Sequence, residues 1–471
     1  MFNRVLFLFY RDLRIKDNTA FIKACEDSKE IVPLYILERH NFNKYSFEFV
    51  ISALGYVNFE LNKLGSFLYL VERGFNEETF EFLREKIGFD AIYLSKDYLW
   101  SFEEKERLLR NFCREKGIEL RFFEGNFLVS PNLISQTKVF TPFFKKWSAY
   151  LGEIRRKDFN FSKLNTPILE LNKFEDFEFS KKVRLDLIEW GFKRLESFDF
   201  DVYDEKRDLL YCDGTSKLSA YINYGVISIY DVYEKVKNSK SSQFLRELAF
   251  REFWYHIRMH FPETRNLEFQ EKTRNIEWLY REDWIRKFEN AETGYPIVDA
   301  GIRCLKTEGW LHNRLRMILA SFFTKTLLHD WRIGEEFFKD YLVDYDEVLN
   351  IQNWQWSASV GADPRPLRIF NPMIQSSKFD PYCEFIKKYL PELKDEDCRK
   401  IHDPLKYKLK YYTPMVDFYA QKELAIRKYK KFFDIIFFLN ENYFIFIFLA
   451  YRFDILQKSE ISQEGRGNFR G

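Results

Sequence analysis

Residues 5–18 read VLFLFYRDLRIKDN. Six apolar or aromatic residues run into an abrupt cluster of charge at Arg11, Asp12, Arg14, Asp17 and Asn18. A short, unbroken apolar run bounded by polar residues reads as a strand buried on both faces. The same signature recurs at IVPLYIL (31–37), FLYLV (67–71), AIYLS (91–95) and IELRFF (118–123). Helical stretches such as FEFVISALGYVNFELNKLG (47–65) lie between these runs. Strands alternating with helices define an α/β domain with a doubly wound parallel sheet, Rossmann-like, over residues 1–126. The first strand is not followed by GxGxxG, so no dinucleotide is expected at that turn. On residue types alone the cluster after it reads as a charged, solvated loop that caps the next helix through Asp17 or Asn18.

Residues 127–190 carry little periodicity and include Pro131, Pro142 and Pro167, which suits a connection between domains. From 191 to 430 the patterning is helical, which predicts a larger all-α domain. Two domains suit 471 residues, since single cores stop growing near ~250–300 residues. Residues 431–471 form an extension of unknown role. Its apolar stretch from Ile435 to Tyr451 is interrupted by Asn440, Glu441 and Asn442 and falls short of the ~20 residues of a membrane span.

Net charge is +2, so any nucleic-acid site must be a local patch and not a global field. Six Lys or Arg face two acids between 301 and 332, among Trp and Phe, and Arg365 and Arg368 extend that patch. Basic residues with aromatics suit backbone contact plus base stacking. Seven of the ten tryptophans lie between Trp254 and Trp356. Six scattered cysteines without a CxxC indicate neither a zinc knuckle nor a disulfide framework, and a reduced, cytoplasmic setting is the simplest reading.

Four segments hold residues suited to chemistry. In GTSKLSAYINYG (214–225), Thr215, Ser216, Lys217 and Ser219 open a helical pattern; they suit a phosphate, and equally an ordinary cap. In GWLHNRLRM (309–317), Trp310, Asn313 and Met317 fall on one face of a helix, a plane, an amide and a thioether suited to a heterocycle. In DYDEVLNIQNWQW (344–356), Asp346 and Asn350 are one turn apart with Asp344 just before; the spacing matches no calcium loop. In ELAFREFWYHIRMH (247–260), Glu247 and Arg251 are spaced as a helical ion pair, as are Asp299 and Arg303. His256 and His260 share a face with Glu252 but lack the HExxH order, and no metal is expected.

Together with FYRDLRIKDN, FTPFFKKW (140–147), TGYPIVDAGIRCLKTEGWLHNRLRM (293–317), WRIGEEFF (331–338) and RIFNP (368–372), these segments resemble the DNA photolyase and cryptochrome family. The resemblance runs from about residue 3 to 430 and is most like class I cyclobutane pyrimidine dimer photolyases. It implies an antenna-binding N-terminal domain and a helical domain that holds FAD. Tyr203, Thr215, Ser216, Lys217, Leu218 and Ser219 then match the phosphate-contacting segment; Lys217 stands where many members have Arg, which turns a bidentate contact into a point charge. Arg251, Asn313, Arg316, Asp344, Asp346 and Asn350 match the flavin surround, with Asn350 at flavin N5, where plant cryptochromes carry Asp. Trp354, Trp331 and Trp278 match the electron-relay tryptophans. Glu247, Phe250, Trp310, Asn313, Arg314, Met317 and Trp356 match the lesion pocket, with Phe250 where relatives commonly have Trp. The implied activity is light-driven repair of pyrimidine dimers in UV-damaged DNA by a monomer. A folate, deazaflavin or flavin antenna accompanies FAD, and no stable membrane association is expected. The alternatives are a cryptochrome-like blue-light receptor or a (6-4) photolyase, the latter disfavoured because those enzymes carry His where Asn313 stands.

Overall fold

A computed structural model describes residues 1–151, 159–362 and 367–433. The 431–471 extension, apart from its first three residues, lies outside the described residues, as does Arg365. All five expected strands form: β1 (Phe2–Phe9), β2 (Ser28–Ile36), β3 (Tyr69–Val71), β4 (Ala91–Ser95) and β5 (Glu119–Phe123). They make one parallel sheet in the order β3-β2-β1-β4-β5. β1 is central, and Val5 to Phe9 are all buried, as a strand covered by helices on both faces requires.

Pro33 in β2 pairs with Phe7. A proline inside a sheet would remove a ladder bond. Here β3 begins only opposite Leu34, so β2 is unpaired on that side at Pro33. The helices Thr19–Asp27, Lys44–Lys63 and Glu77–Ile87 start on Asn18, Asn43 and Asn76, whose side chains accept backbone N–H bonds.

The connection after β5 carries more structure than its sequence suggests. A helix, Phe140–Tyr150, buries Phe140, Phe143 and Trp147 against the long helix Ser242–His260. Pro142 sits in its first turn, where a missing N–H costs nothing. The domain beyond is helical, and one continuous apolar core runs through both domains.

The loop after β1 is not solvated. Arg11, Asp12, Arg14 and Asn18 are all buried, and the loop is the seam between the domains. Leu13 N–H donates to Tyr224 O at 3.0 Å, and Arg14 reaches Gly225 O at 3.0 Å and Gly125 O at 2.8 Å. Gly225 has φ +66°, and a Cβ there would strike the Arg11 carbonyl. Only glycine satisfies both demands. Of the expected caps, Asn18 serves, accepting from Phe21 N–H at 3.0 Å.

Candidate flavin and lesion site

The four sequence segments converge through three chains of contact. First, Ser219 opens a short helix, Ser219–Asn223, and its Oγ accepts from the Trp310 indole at 3.3 Å. Lys217 lies 5.7 Å from the same indole ring. Its φ of +57° is a left-handed conformation that a side-chain-bearing residue seldom adopts, and such strain concentrates at functional sites. Arg194 ties this turn down through Thr215 O at 2.7 Å and Ser216 O at 3.3 Å. Leu218 is buried, and Tyr203 is buried against Phe198 and Phe244, where burial raises its hydroxyl well above its ordinary pKa.

Second, Glu247 accepts from Arg207 at 2.5 Å and from Gln243 Nε2 at 3.0 Å. Arg207 lies 3.9 Å from Asp208, which accepts from Arg314 at 2.7 Å. Arg207 and Asp208 belong to no motif; the only sequence signal is the charged run DEKRD just before the GTSKLS turn. The expected Glu247–Arg251 helical pair does not form. Arg251 instead donates to Asn126 O at 3.0 Å and covers the rings of Phe127 and Tyr255, because the interdomain loop offers it a buried acceptor. The Asp299–Arg303 pair fails likewise. Asp299 accepts from Thr293, Gly294 and Tyr411, and Arg303 turns to Glu392 at 2.6 Å.

Third, Arg316 Nη2 donates to both oxygens of Asp344, at 2.9 and 2.8 Å. Asp346 caps the helix Glu347–Ser357, accepting from Leu349 N–H at 2.9 Å. Its other oxygen receives Arg11 at 2.6 Å and the Tyr255 hydroxyl. Burial works to raise its pKa, but Arg11 and Tyr255 outweigh it and hold the carboxyl below its ordinary range. Asn350 is buried, and its Nδ2 donates to Glu335 O at 3.1 Å and Glu335 Oε1 at 2.9 Å. With its donor end so engaged, Asn350 has its carbonyl oxygen to offer a ligand.

Trp310 precedes the helix Asn313–Ser321, which begins only after His312, so it does not share a helical face with Asn313 and Met317. Those two do meet, Nδ2 to Sδ at 3.9 Å. Phe250 stacks flat on Phe140, centroids 3.5 Å apart, which covers one of its faces. Trp331 and Trp354 are buried; the Trp331 indole donates to Glu268 at 3.1 Å, and Trp354 meets the Phe338 ring at 4.9 Å. Trp278 and Trp356 are half-buried, the latter beneath Arg368. The basic excess of 301–332 is largely consumed within the fold. Arg303, Arg314, Arg316 and Arg332 are ion-paired, and Lys325 is buried against Ser359 and the Arg368 carbonyl.

The donor set suits a flavin dinucleotide: hydroxyls and a cation at a helix opening for phosphates, and a carboxylate–guanidinium pair with a buried amide for a ring bearing N–H and carbonyl groups. A separate cleft of about 640 Å³ lies at the carboxyl ends of the strands, lined by Glu38, His40, Phe75, Ser101, Lys105 and Arg265 among others. Open α/β sheets bind ligands at this end.

Comparison with known proteins agrees. Residues 5–160 match the DNA photolyase family profile, and residues 244–431 match the FAD binding domain of DNA photolyase. The deoxyribodipyrimidine photo-lyase of Alkalihalophilus pseudofirmus is 32% identical over 90% of this chain and 97% of its own. That of Escherichia coli is 31% identical over 85% and 91%. The archaeal photolyase of Sulfolobus tokodaii, solved with two FAD molecules, superposes with a TM-score of 0.82 at 29% identity, covering 91% of this chain and 99% of that one. The fold and site define a flavoprotein with an FAD-binding helical domain. The chain belongs to the DNA photolyase family. Among the described residues no helix is long and apolar enough to cross a membrane.

Proposed function

We propose that the protein repairs cyclobutane pyrimidine dimers in DNA with light. Reduced FAD, when bound, supplies the photoexcited electron that splits a dimer, and the protein supplies placement. Thr215, Ser216, Lys217 and Ser219 hold the phosphates, and Arg316, Asp344, Asp346 and Asn350 surround the ring. The observation that carries the reading is the orientation of Asn350. Its amide nitrogen is engaged by Glu335, so it offers a neutral acceptor, which suits the N–H of a reduced ring.

Glu247, held by Arg207 beside Phe250, accepts a hydrogen bond from a base N–H of the dimer, and the Arg207 cation paired with it offsets the negative charge that develops there. Asn313, Met317, Trp310 and Trp356 complete the wall, and Arg314 meets the lesion backbone. Trp354, Trp331 and Trp278 carry electrons inward from the surface. A damaged pair is cheaper to unstack than an intact one, and photolyases are a known instance of such base extrusion. A second chromophore in the carboxyl-end cleft of the sheet would act as antenna, since Phe75 offers an apolar wall and Arg265 a cation to a polar tail, while Lys105 is paired with Glu38.

The test mixes reduced protein with UV-irradiated oligothymidylate under blue light and follows the return of thymine absorbance. Recovery is expected. It falls about ten- to a hundredfold in Glu247→Ala, as loss of one hydrogen bond to a charged group predicts. A flavin that is bound and photoreduced without any recovery overturns dimer repair and leaves a light receptor or (6-4) repair.

A further inference from the structure

Three short helices, Pro372–Phe379, Glu384–Tyr389 and Cys398–His402, pack beside the site wall. They are eight, six and five residues long, far below the ~12–15 at which an isolated helix begins to hold itself. At their junction stand Cys383, Cys398 and His402, whose sulfur and nitrogen atoms all lie within 4.8 Å of one another. Cys383 Sγ is 3.4 Å from His402 Nε2. Zinc bonds of about 2.3 Å to sulfur and 2.05 Å to nitrogen, at the tetrahedral angle, separate the two atoms by about 3.6 Å.

Two further features are those of a metal site. His402 Nδ1 lies 2.7 Å from Ser376 Oγ, and Ser376 is buried. When Nδ1–H donates to that hydroxyl, Nε2 keeps its lone pair toward Cys383. A ligating histidine requires an outer partner that fixes its ring in this way. The competing contact, Nε2 to Pro381 O, is longer at 3.4 Å. Cys383 itself is fully buried at φ +53° and ψ +23°, a left-handed conformation that costs a non-glycine residue roughly 1–2 kcal/mol. The turn brings its Sγ to within 3.4 Å of His402 Nε2.

We propose that Cys383, Cys398 and His402 bind one zinc ion through two thiolates and an imidazole. The sequence hides the site, because its spacing is C-x14-C-x3-H and contains no CxxC. Cys398 and His402 are one helical turn apart and so share a face, and the αL turn at Cys383 supplies the third donor from another element. Cys398 and His402 are only half-buried, so solvent takes the fourth position of a tetrahedral ion. Asp380 is not a ligand, since its carboxylate accepts from Phe385 N–H at 3.1 Å and Ile386 N–H at 2.9 Å.

The ion staples elements that reach the site. Phe379 lies under the Arg314 guanidinium at 4.3 Å, and its carbonyl accepts from Leu210 N–H at 2.9 Å. Tyr382 meets Tyr211 edge-on at 5.5 Å. Metal binding energy is folding energy where the apo elements are too short to hold themselves, so zinc here steadies the wall beside Arg314 and takes no part in chemistry.

The full chain, purified anaerobically with reductant, is given zinc and dialysed, and its metal is measured by plasma mass spectrometry. One zinc per chain is expected. Chelator competition should show weaker binding in Ser376→Ala, by about ten- to a hundredfold, and near-complete loss in Cys398→Ser. Cys383→Gly removes a ligand while keeping a backbone that glycine adopts freely; it should fold and fail to retain zinc. Cobalt(II) in place of zinc should show the intense visible bands of tetrahedral thiolate coordination. Zinc no higher than a buffer blank in wild type, unchanged zinc in both cysteine variants, or the weak bands of octahedral cobalt each overturns the proposal.

Discussion

Glu252 shows how a single buried carboxyl sets a pH dependence. It accepts from Leu128 N–H, Val129 N–H and the Trp147 indole, at 2.5, 3.0 and 2.6 Å. All three donors favour the anion, yet burial prevails and lifts its pKa to about 7 from 4.5. The folded protein therefore binds a proton that the unfolded chain has released between those values. The stability from this group is fully present below pH 4.5 and is lost as pH rises through 7. Its size is up to roughly 3–4 kcal/mol, since each pH unit between the two values is worth roughly 1.4 kcal/mol. Urea unfolding of wild type and Glu252→Gln from pH 4 to 8 checks it: wild type should weaken relative to the variant as pH rises. A parallel pair of curves would refute the assignment. The residues named by motif, from Thr215 to Trp356, were readable because each sits in a short, dense, specific segment. Arg207 was not, because it acts on a partner 40 positions away and carries no local signature; Arg11 and Glu335 stand in FYRDLRIKDN and WRIGEEFF, but nothing local points to their partners 335 and 15 positions away.

At the scale of elements, legibility followed the packing. All five strands were visible because each is an apolar run with polar ends. The helix Phe140–Tyr150 was not, because Pro142 reads as a break although the first turn tolerates it. Trp310 and Asn313 share no face, against expectation, because the helix begins three residues later than the periodicity implies. A tighter constraint joins the helices Trp331–Lys339 and Glu347–Ser357. Gly334 faces the Trp354 indole so closely that a Cβ would collide with the ring. Gly334→Ala should cost about 1–3 kcal/mol, the usual penalty of forcing extra volume into a packed core. Thermal melting measures the cost. Slower light-driven reduction of bound flavin in the same variant would tie the Trp354 position to the electron route.

Across the whole molecule, the seam between domains is electrostatic at its centre. Arg11 donates to Asp346 at 2.6 Å, to Tyr255 at 3.1 Å and to the Asn223 side chain, with Asp97 3.5 Å away. Replacing one partner of a buried pair strands the other in low dielectric, at about 3–5 kcal/mol. Arg11→Met should show that loss in denaturant unfolding, together with reduced FAD retention because Asp346 loses its anchor. Unchanged stability would mean that the Arg11 pair contributes nothing net to holding the two domains together.

The same arginine has a consequence for synthesis on the ribosome. Asp346 follows Arg11 by 335 residues. At roughly 5–20 residues per second, the nascent N-terminal domain waits about 20–70 s for that counter-ion to emerge. Asp97, from the same domain, is made far sooner and lies within ion-pair distance. It gives the early-folding half of the chain an interim partner for that arginine, until the later half arrives, buries it and takes over the charge.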